Sequence, residues 1–198
     1  MAITLVTGGA RSGKSRYAEK QVFISEAAGR APVAYIATAI PFDDGMKDRI
    51  AHHQARRPVR WATIEQYKDY RTLMQDPAFA EAETVLYDCL TVMITNQMME
   101  LEKDWDHISM ARAGEVEDHI LADVQDLLHV LRTKKESYIV TNEVGMGLVP
   151  AYRMGNLFRD IAGRVNQMVA AEADRVVFCV SGIPMVIKET GAEPFEKI

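Results

Sequence analysis

Hydrophobic residues follow two patterns that alternate along the chain. Short, unbroken hydrophobic runs are typical of strands that are buried on both faces. Longer segments carry hydrophobic residues every three or four positions, which is typical of helices packed against a core. Strands are predicted at residues 3–7, 33–38, 61–65, 84–88, 137–141, 175–180 and 185–188. Helices are predicted at residues 14–28, 45–57, 67–74, 90–99, 116–131 and 157–168.

This alternation predicts an α/β fold with a mostly parallel central sheet flanked by helices. No internal repeat or linker divides the 198 residues, so we expect one domain with a polar tail at residues 189–198. Parallel sheets bind ligands at the carboxyl ends of their strands. We therefore expect one crevice to be lined by the predicted strand ends, at residues 7–8, 38–39, 88, 142–143 and 181–182.

The turn between the first strand and the first helix carries a glycine-rich motif. Gly8 is followed by four residues and then by Gly13, Lys14 and Ser15, which matches the phosphate-binding loop, or P-loop. Backbone N–H groups can approach a polyphosphate where glycine has no Cβ, and the following helix directs its positive end at the same anion. Lys14 is predicted to contact the β- and γ-phosphates, and Ser15 is predicted to bind Mg²⁺.

Such sites also need an acid at the end of a second strand, to hold Mg²⁺ directly or through water. Asp88 follows a hydrophobic strand and is predicted to have this role. Glu143 also follows a strand and remains the alternative. Either acid could instead cap the helix that comes after it.

Two adjacent histidines, His52 and His53, lie within the predicted helix of residues 45–57. Arg49 and Arg56 flank His52 at helical spacing, and their charges favour a neutral imidazole, whose lone pair can attack phosphorus. A solvated polar helix face explains the same spacing. The spacing alone favours this simpler interpretation and leaves a catalytic role for His52 open.

Composition narrows the range of partners. A net charge of −5 argues against a nucleic acid as the main partner. Cys89 and Cys179 are far apart in the sequence, which predicts reduced thiols and a cytoplasmic location. The chain enters a strand almost at once, so we expect no secretory leader. The longest hydrophobic stretch, residues 176–187, is too short to span a membrane and contains glycine and proline.

Several further motifs follow the phosphate loop in a fixed order. They are YIATA at residues 35–39, RIAHH at 49–53, RP at 57–58, DCLT at 88–91, TNEVGMGLVP at 141–150, FRDIAGRVNQ at 158–167 and SGIP at 181–184. With the phosphate loop, these motifs form a set that extends from residue 3 to residue 188. Through this set the chain closely resembles the bifunctional adenosylcobinamide kinase/adenosylcobinamide-phosphate guanylyltransferase family of cobalamin biosynthesis.

The resemblance implies a RecA-like P-loop NTPase fold, a homotrimer and two reactions. The first reaction phosphorylates the aminopropanol hydroxyl of adenosylcobinamide with ATP or GTP. The second transfers GMP from GTP to adenosylcobinamide-phosphate, giving adenosylcobinamide-GDP and pyrophosphate. The family carries out this transfer through a guanylylated histidine, and the matching position is His52.

The resemblance also implies the residues that contact the nucleotide and the metal. Nucleotide contacts are expected at Gly8, Gly9, Ala10, Arg11, Ser12, Gly13, Lys14, Ser15, Ala37, Thr38, Ala39, His53, Gln54, Ala55, Arg56, Glu65 and Asp88. Mg²⁺ ligands are expected at Ser15 and Asp88.

Two other functions fit the phosphate loop. One is a simple kinase for another small metabolite, in which His52 takes no part. The other is a non-catalytic nucleotide-binding module with a regulatory role. The sequence lacks the Asn-Lys-x-Asp signature by which signalling GTPases read guanine, and this argues against the second function.

Overall fold

The computed structural model describes residues 1–41, 44, 45, 47, 51, 54 and 57–190. The strands among them are β1 (Ala2–Gly8), β2 (Val33–Ala37), β3 (Ala62–Glu65), β4 (Thr84–Asp88), β5 (Glu136–Val140), β6 (Arg175–Val180) and β7 (Ile183–Lys188). The helices are α1 (Lys14–Ala27), α2 (Pro77–Glu81), α3 (Leu90–Leu101), α4 (Met110–Leu131) and α5 (Arg153–Glu172), with a 3-10 helix at Tyr70–Gln75.

The strands form one sheet in the order β3-β2-β4-β5-β1-β6-β7. The pairs from β3 to β6 are parallel, and β7 runs antiparallel to β6. Ser181 and Gly182 connect β6 to β7 with φ angles of 52° and 82°. Positive φ at both central residues is typical of a tight type I′ hairpin. The mostly parallel α/β sheet predicted from the sequence is therefore confirmed.

The two faces of the sheet bury two separate hydrophobic clusters, because successive side chains of a strand point to opposite faces. On one face α1 covers the smaller cluster, which includes Val6, Tyr35, Leu86 and Val140. On the other face α3, α4 and α5 cover the larger cluster, to which Leu5, Ile36, Tyr87 and Ile139 contribute. Buried runs such as Val33–Ala37 are hydrophobic throughout because both of their faces are covered.

The structure differs from the predicted elements around residues 67–81. The predicted helix at 67–74 is a 3-10 helix at Tyr70–Gln75, which begins only after Asp69 because that residue has a left-handed φ of 55°. The sequence interpretation missed α2. This helix has a visible start signal, because the Asp76 side chain accepts a hydrogen bond from Phe79 N at 2.9 Å and Pro77 is the first helical residue.

Two other predicted segments lie partly outside the described residues. In the predicted helix of residues 45–57, the described residues Gly45, Lys47, Ala51 and Gln54 are helical, as is Asp44 just before it, and the other members up to Arg56 lie outside the described residues. The polar tail is described only at Glu189 and Thr190. Within the described parts of the chain, no helix is both long enough and hydrophobic enough to cross a membrane.

Candidate active site

The carboxyl ends of the parallel strands lie level along one edge of the sheet. Val6 in β1 and Asp88 in β4 are both paired with Val140 in β5, one from each side. Because neighbouring strands are about 4.8 Å apart, the backbones of Val6 and Asp88 are about 10 Å apart. Ala37 in β2 is paired with Asp88 on its other side. The predicted strand ends therefore share one edge, as expected.

The phosphate loop leaves β1 at this edge and turns sharply into α1. Arg11 has a left-handed φ of 56°, and Gly13, with φ of 93°, immediately precedes the helix. Ser12 N donates a hydrogen bond to Gly9 O at 3.3 Å, which closes the turn. Gly182 N donates to Ser12 O at 2.9 Å, so the β6–β7 hairpin supports the phosphate loop through a backbone hydrogen bond. The N-terminus of α1 and the loop amides form an arrangement that favours an anion.

Gly8 meets the requirement for a residue without a side chain. Its φ is 153°, and an ideal Cβ would lie 2.6 Å from Ser12 Oγ and would also collide with the Cys179 carbonyl. At Gly13, a Cβ would lie 3.2 Å from Gly182 Cα. These contacts explain why both motif glycines are needed for the shape of the loop.

A buried hydroxyl group lies in the phosphate loop. Ser12 Oγ is buried and has no hydrogen-bond partner among the described residues. Buried polar groups in native proteins almost always have a partner, so this hydroxyl indicates a site that is completed by a ligand. Lys14 is buried in the first turn of α1, and its Nζ donates to Gly9 O at 3.1 Å across the loop. The residues present therefore fit a bound polyphosphate.

Asp88 is oriented by a tyrosine that the sequence interpretation did not place in the site. Tyr35 Oη donates a hydrogen bond to Asp88 Oδ2 at 2.7 Å. Burial, followed by the charge of Asp88, holds the pKa of Tyr35 well above its usual value, so Tyr35 remains a donor. The guanidinium of Arg57 lies over the Tyr35 ring, with Cζ 3.4 Å from the ring centroid. Arg57, Tyr35 and Asp88 therefore form a continuous chain of contacts.

The backbone around Thr38 and Cys89 joins β2 to β4 beside this acid. Thr38 Oγ1 donates to Cys89 O at 2.9 Å and accepts from Cys89 N at 2.8 Å. Thr38 is buried, so its hydroxyl has a structural role. The nucleotide contact predicted at residues 37–39 could be made by Ala37 and Ala39, which are partly exposed. Burial raises the pKa of the Cys89 thiol to about 11, which makes it an unreactive thiol at neutral pH.

Glu65 and Glu143 lie on opposite sides of Asp88. Glu65 is exposed at the end of β3 and is paired with Ala37, so four strand spacings, about 19 Å, separate it from β1. Only an elongated ligand could contact both Glu65 and the phosphate loop. Glu143 follows β5, and its backbone N donates to Gly8 O at 3.1 Å. Its carboxylate accepts a hydrogen bond from Gly145 N at 2.7 Å, which shapes the following loop.

The histidine segment is only partly described. The described residues do not include His52, His53, Ala55 or Arg56. The approach of His52 to the phosphate loop therefore stays a prediction. Gln54 is described and exposed, and its carbonyl accepts a hydrogen bond from Arg57 N at 3.1 Å. The end of this segment is therefore attached to the sheet through Arg57 and the Tyr35 ring.

The side chains near the phosphate loop restrict the kind of metal site that could form. Among the described residues, no group of three or more histidine, cysteine, aspartate or glutamate side chains could hold a metal ion. Mg²⁺ in nucleotide sites uses one or two carboxylates together with substrate phosphates and water. Half-buried Ser15 in α1 and Asp88, oriented by Tyr35, fit a site of this kind.

Comparison with known proteins gives consistent results over nearly the whole chain. Residues 4–187 match the family model described as cobinamide kinase / cobinamide phosphate guanyltransferase. The bifunctional adenosylcobalamin biosynthesis proteins CobU of Salmonella typhimurium and Escherichia coli are 46% and 44% identical over 190 residues, covering 93% of this chain and 98% of each relative. The bifunctional protein CobP of Pseudomonas aeruginosa is 35% identical over 188 residues, covering 93% of this chain and 96% of the relative.

A solved structure shows the fold at greater evolutionary distance. The flagellar accessory protein FlaH from Methanocaldococcus jannaschii matches with a TM-score of 0.51 and 14% identity, covering 98% of this chain and 82% of that protein. At this identity the similarity concerns the fold alone. It agrees with the RecA-like P-loop architecture expected from the sequence.

Proposed function

The chain belongs to the cobinamide kinase / cobinamide phosphate guanyltransferase family, and on this basis we propose which residues act in each of the two reactions. The protein is a bifunctional enzyme of adenosylcobalamin biosynthesis, a kinase and a nucleotidyltransferase that uses nucleotides. The observation that carries the assignment of the site is the phosphate loop, with the buried Ser12 hydroxyl that has no partner among the described residues.

In the kinase step, we propose that the loop from Gly8 to Ser15 holds ATP or GTP while the aminopropanol hydroxyl of adenosylcobinamide attacks the γ-phosphorus. The oxygen–phosphorus bond to the acceptor forms as the bond to the nucleoside diphosphate breaks, and the proton of the acceptor hydroxyl is released to solvent. Lys14 and the N-terminus of α1 stabilise the negative charge that develops on the phosphate oxygens. Ser15 and Asp88 would hold Mg²⁺, which supplies positive charge to the triphosphate when it is bound.

In the transfer step, we propose that a neutral imidazole nitrogen of His52 attacks the α-phosphorus of GTP. The nitrogen–phosphorus bond forms as pyrophosphate leaves, and a phosphate oxygen of adenosylcobinamide-phosphate then displaces the histidine. Support comes from the family motif at residues 49–53 and from Arg57, which attaches the end of this segment to Tyr35 and so to Asp88. We propose that His53, Gln54, Ala55, Arg56 and Glu65 contact the nucleotide during this step.

The covalent intermediate can be tested with GTP labelled at the α-phosphate. We expect acid-labile label on the wild-type protein after denaturing separation, release of that label by adenosylcobinamide-phosphate, and no label on His52→Ala. His107→Ala is a matched control, because His107 is exposed and its Nδ1 is hydrogen-bonded to Asp104 at 2.9 Å, and it should be labelled like wild type.

Two outcomes would contradict the covalent route. Equal labelling of the His52→Ala variant would remove His52 as the nucleophile. Transfer of γ-label to an acceptor without any protein-bound GMP would instead indicate a simple kinase.

For the whole protein we propose one domain over residues 1–198, a homotrimer and a cytoplasmic location. The two cysteines are both free and buried, as expected for a protein kept in a reducing compartment. The homotrimer follows from the family resemblance, and the assembly mass of the purified protein in sedimentation would test it.

A further inference from the structure

Large hydrophobic side chains are exposed on the loop that follows β5. Met146, Leu148, Val149 and Tyr152 are 79%, 96%, 68% and 64% exposed within seven residues of sequence. Met110 at the start of α4 is also exposed, and its Sδ lies 3.9 Å from Arg153 Nη2 at the start of α5. We call these five side chains the apolar loop surface. Clustered exposed hydrophobic residues of this kind mark binding sites more often than single ones do.

The loop begins at the phosphate-binding site. Thr141 N donates to Val6 O at 3.0 Å, and Glu143 N donates to Gly8 O at 3.1 Å. From Glu143 to Leu148 the chain can span at most about 18 Å when fully extended. The exposed side chains therefore lie within the reach of one large ligand whose reacting group is at the phosphate loop.

The loop is also held at its far end. Asn156 Nδ2 donates to Pro150 O at 2.9 Å. Gly155 lies beneath Pro150 and Tyr152, because a Cβ on Gly155 would be 2.8 Å from both side chains. Val144 packs against the larger hydrophobic cluster. Because the loop backbone is held at both of its ends, we attribute the exposure of Met146 and Leu148 to the conformation of the loop.

We propose that the apolar loop surface binds the corrin macrocycle of cobinamide, an inference that rests on the proposed function. The acceptor hydroxyl is at the end of a flexible arm and must reach the terminal phosphate, so the much larger macrocycle needs a surface beside the phosphate loop. Methionine side chains adapt to an irregular apolar outline, and the Tyr152 ring offers a flat face to the conjugated ring system.

The proposal can be tested with the double variant Met146→Ser/Leu148→Ser. We expect its Kd and KM for cobinamide to rise by at least about tenfold because the apolar contacts are lost. The KM for GTP and the binding of GTP without cobinamide should stay within about twofold of wild type, because the phosphate loop is unchanged. Met74→Ser, a methionine that is 52% exposed on the 3-10 helix, is the control and should match wild type in every measurement.

Assembly mass, measured by sedimentation on the same samples, separates the competing explanations. An unchanged cobinamide Kd in the double variant would overturn the proposal. Dissociation of the assembly with an unchanged cobinamide Kd would also overturn it and would identify the surface as a contact between copies of the chain. If wild type neither binds nor phosphorylates cobinamide, the proposed function itself fails and this inference fails with it.

Discussion

Around Gly8, the backbone of β1 touches two other parts of the chain. Gly8 is paired with Cys179 in β6, and its carbonyl accepts the hydrogen bond from Glu143 N. A side chain at this position would meet the Cys179 carbonyl and Ser12 Oγ. Since Ser12 carries the buried hydroxyl of the phosphate loop, a change in the position of Gly8 would alter the inside of the loop directly.

Gly8→Ala should therefore weaken both folding and nucleotide binding. We expect a loss of about 1–3 kcal/mol in the free energy of unfolding, because alanine is strained at this φ and the collision cannot be relieved by a flexible side chain. The Kd for GTP should rise by at least about tenfold as the loop amides move. Urea unfolding and titration with GTP measure the two effects.

Gly114→Ala is the matched control for the same chemical change. Gly114 is in α4, and an added Cβ would meet nothing within 4 Å. Alanine in a helix interior is more stable than glycine by up to about 1 kcal/mol, so this variant should be no less stable than wild type and should bind GTP normally. A Gly8→Ala protein that behaves like Gly114→Ala would contradict the role assigned to Gly8.

At the scale of whole elements, the carboxyl ends of several helices are held by cationic side chains from elsewhere in the fold. Lys134 Nζ donates to the carbonyls of Phe79 and Ala80 at the end of α2, at 2.5 and 3.2 Å. Lys188 Nζ donates to those of Ala170 and Ala171 near the end of α5, at 2.9 and 2.8 Å. The carbonyls in the last turn of a helix lack the regular helical partner, and a positive charge also interacts favourably with this end of the helix dipole.

Lys188→Met should lower stability by about 1–2 kcal/mol, because methionine keeps much of the apolar stem but cannot donate to the two carbonyls. Urea unfolding of the variant measures this difference. Lys20→Met, at an exposed position in α1, is the control and should change stability by less than about 0.5 kcal/mol. Equal losses in the two variants would show that Lys188 does not stabilise the end of α5 through these bonds.

At the scale of the whole molecule, the two hydrophobic clusters share the same strands. Leu5 and Val6 are neighbours in β1 and enter opposite clusters, as Ile36 and Tyr35 do in β2. Separation of either layer would expose the other face of the same strands to water. This sharing supports the proposal that the chain forms one domain.

We therefore expect a single cooperative unfolding transition. Far-ultraviolet circular dichroism and the fluorescence of Trp61 and Trp105 should give coincident urea curves, because Trp61 belongs to the smaller cluster and Trp105 to the larger. Variants with one tryptophan each, Trp61→Phe and Trp105→Phe, separate the two signals. Two resolved transitions would contradict the single domain.

The sequence was informative where the signal is local. A short run of residues is enough to predict the phosphate loop, each buried strand and the acid at Asp88. The structure confirms the strands and places Gly8 and Asp88 at the same edge of the sheet. The contact between Tyr35 and Asp88 joins residues 53 positions apart. It follows from the register between β2 and β4, which residue patterns do not determine.

Two other features were missed for different reasons. Arg57 is the last residue of the predicted histidine helix but is a bend in the structure, and its stacking on Tyr35 depends on how that segment returns to the sheet. The hairpin at Ser181 and Gly182 has the composition of a tight turn, but its contact with Ser12 appears only after β6 is placed beside β1. The proposed role of His52 stays a prediction, because that residue lies outside the described part of the chain.

The support of the phosphate loop by Gly182 has a consequence for the order in which the site is built. Residues 8–15 are translated well before Gly182, whose N–H donates to Ser12 O. A growing polypeptide therefore carries its nucleotide motif for a long interval before the hairpin that supports it exists. We expect bound nucleotide to begin to help the new protein fold only after this hairpin has been synthesised, and not when the motif itself emerges.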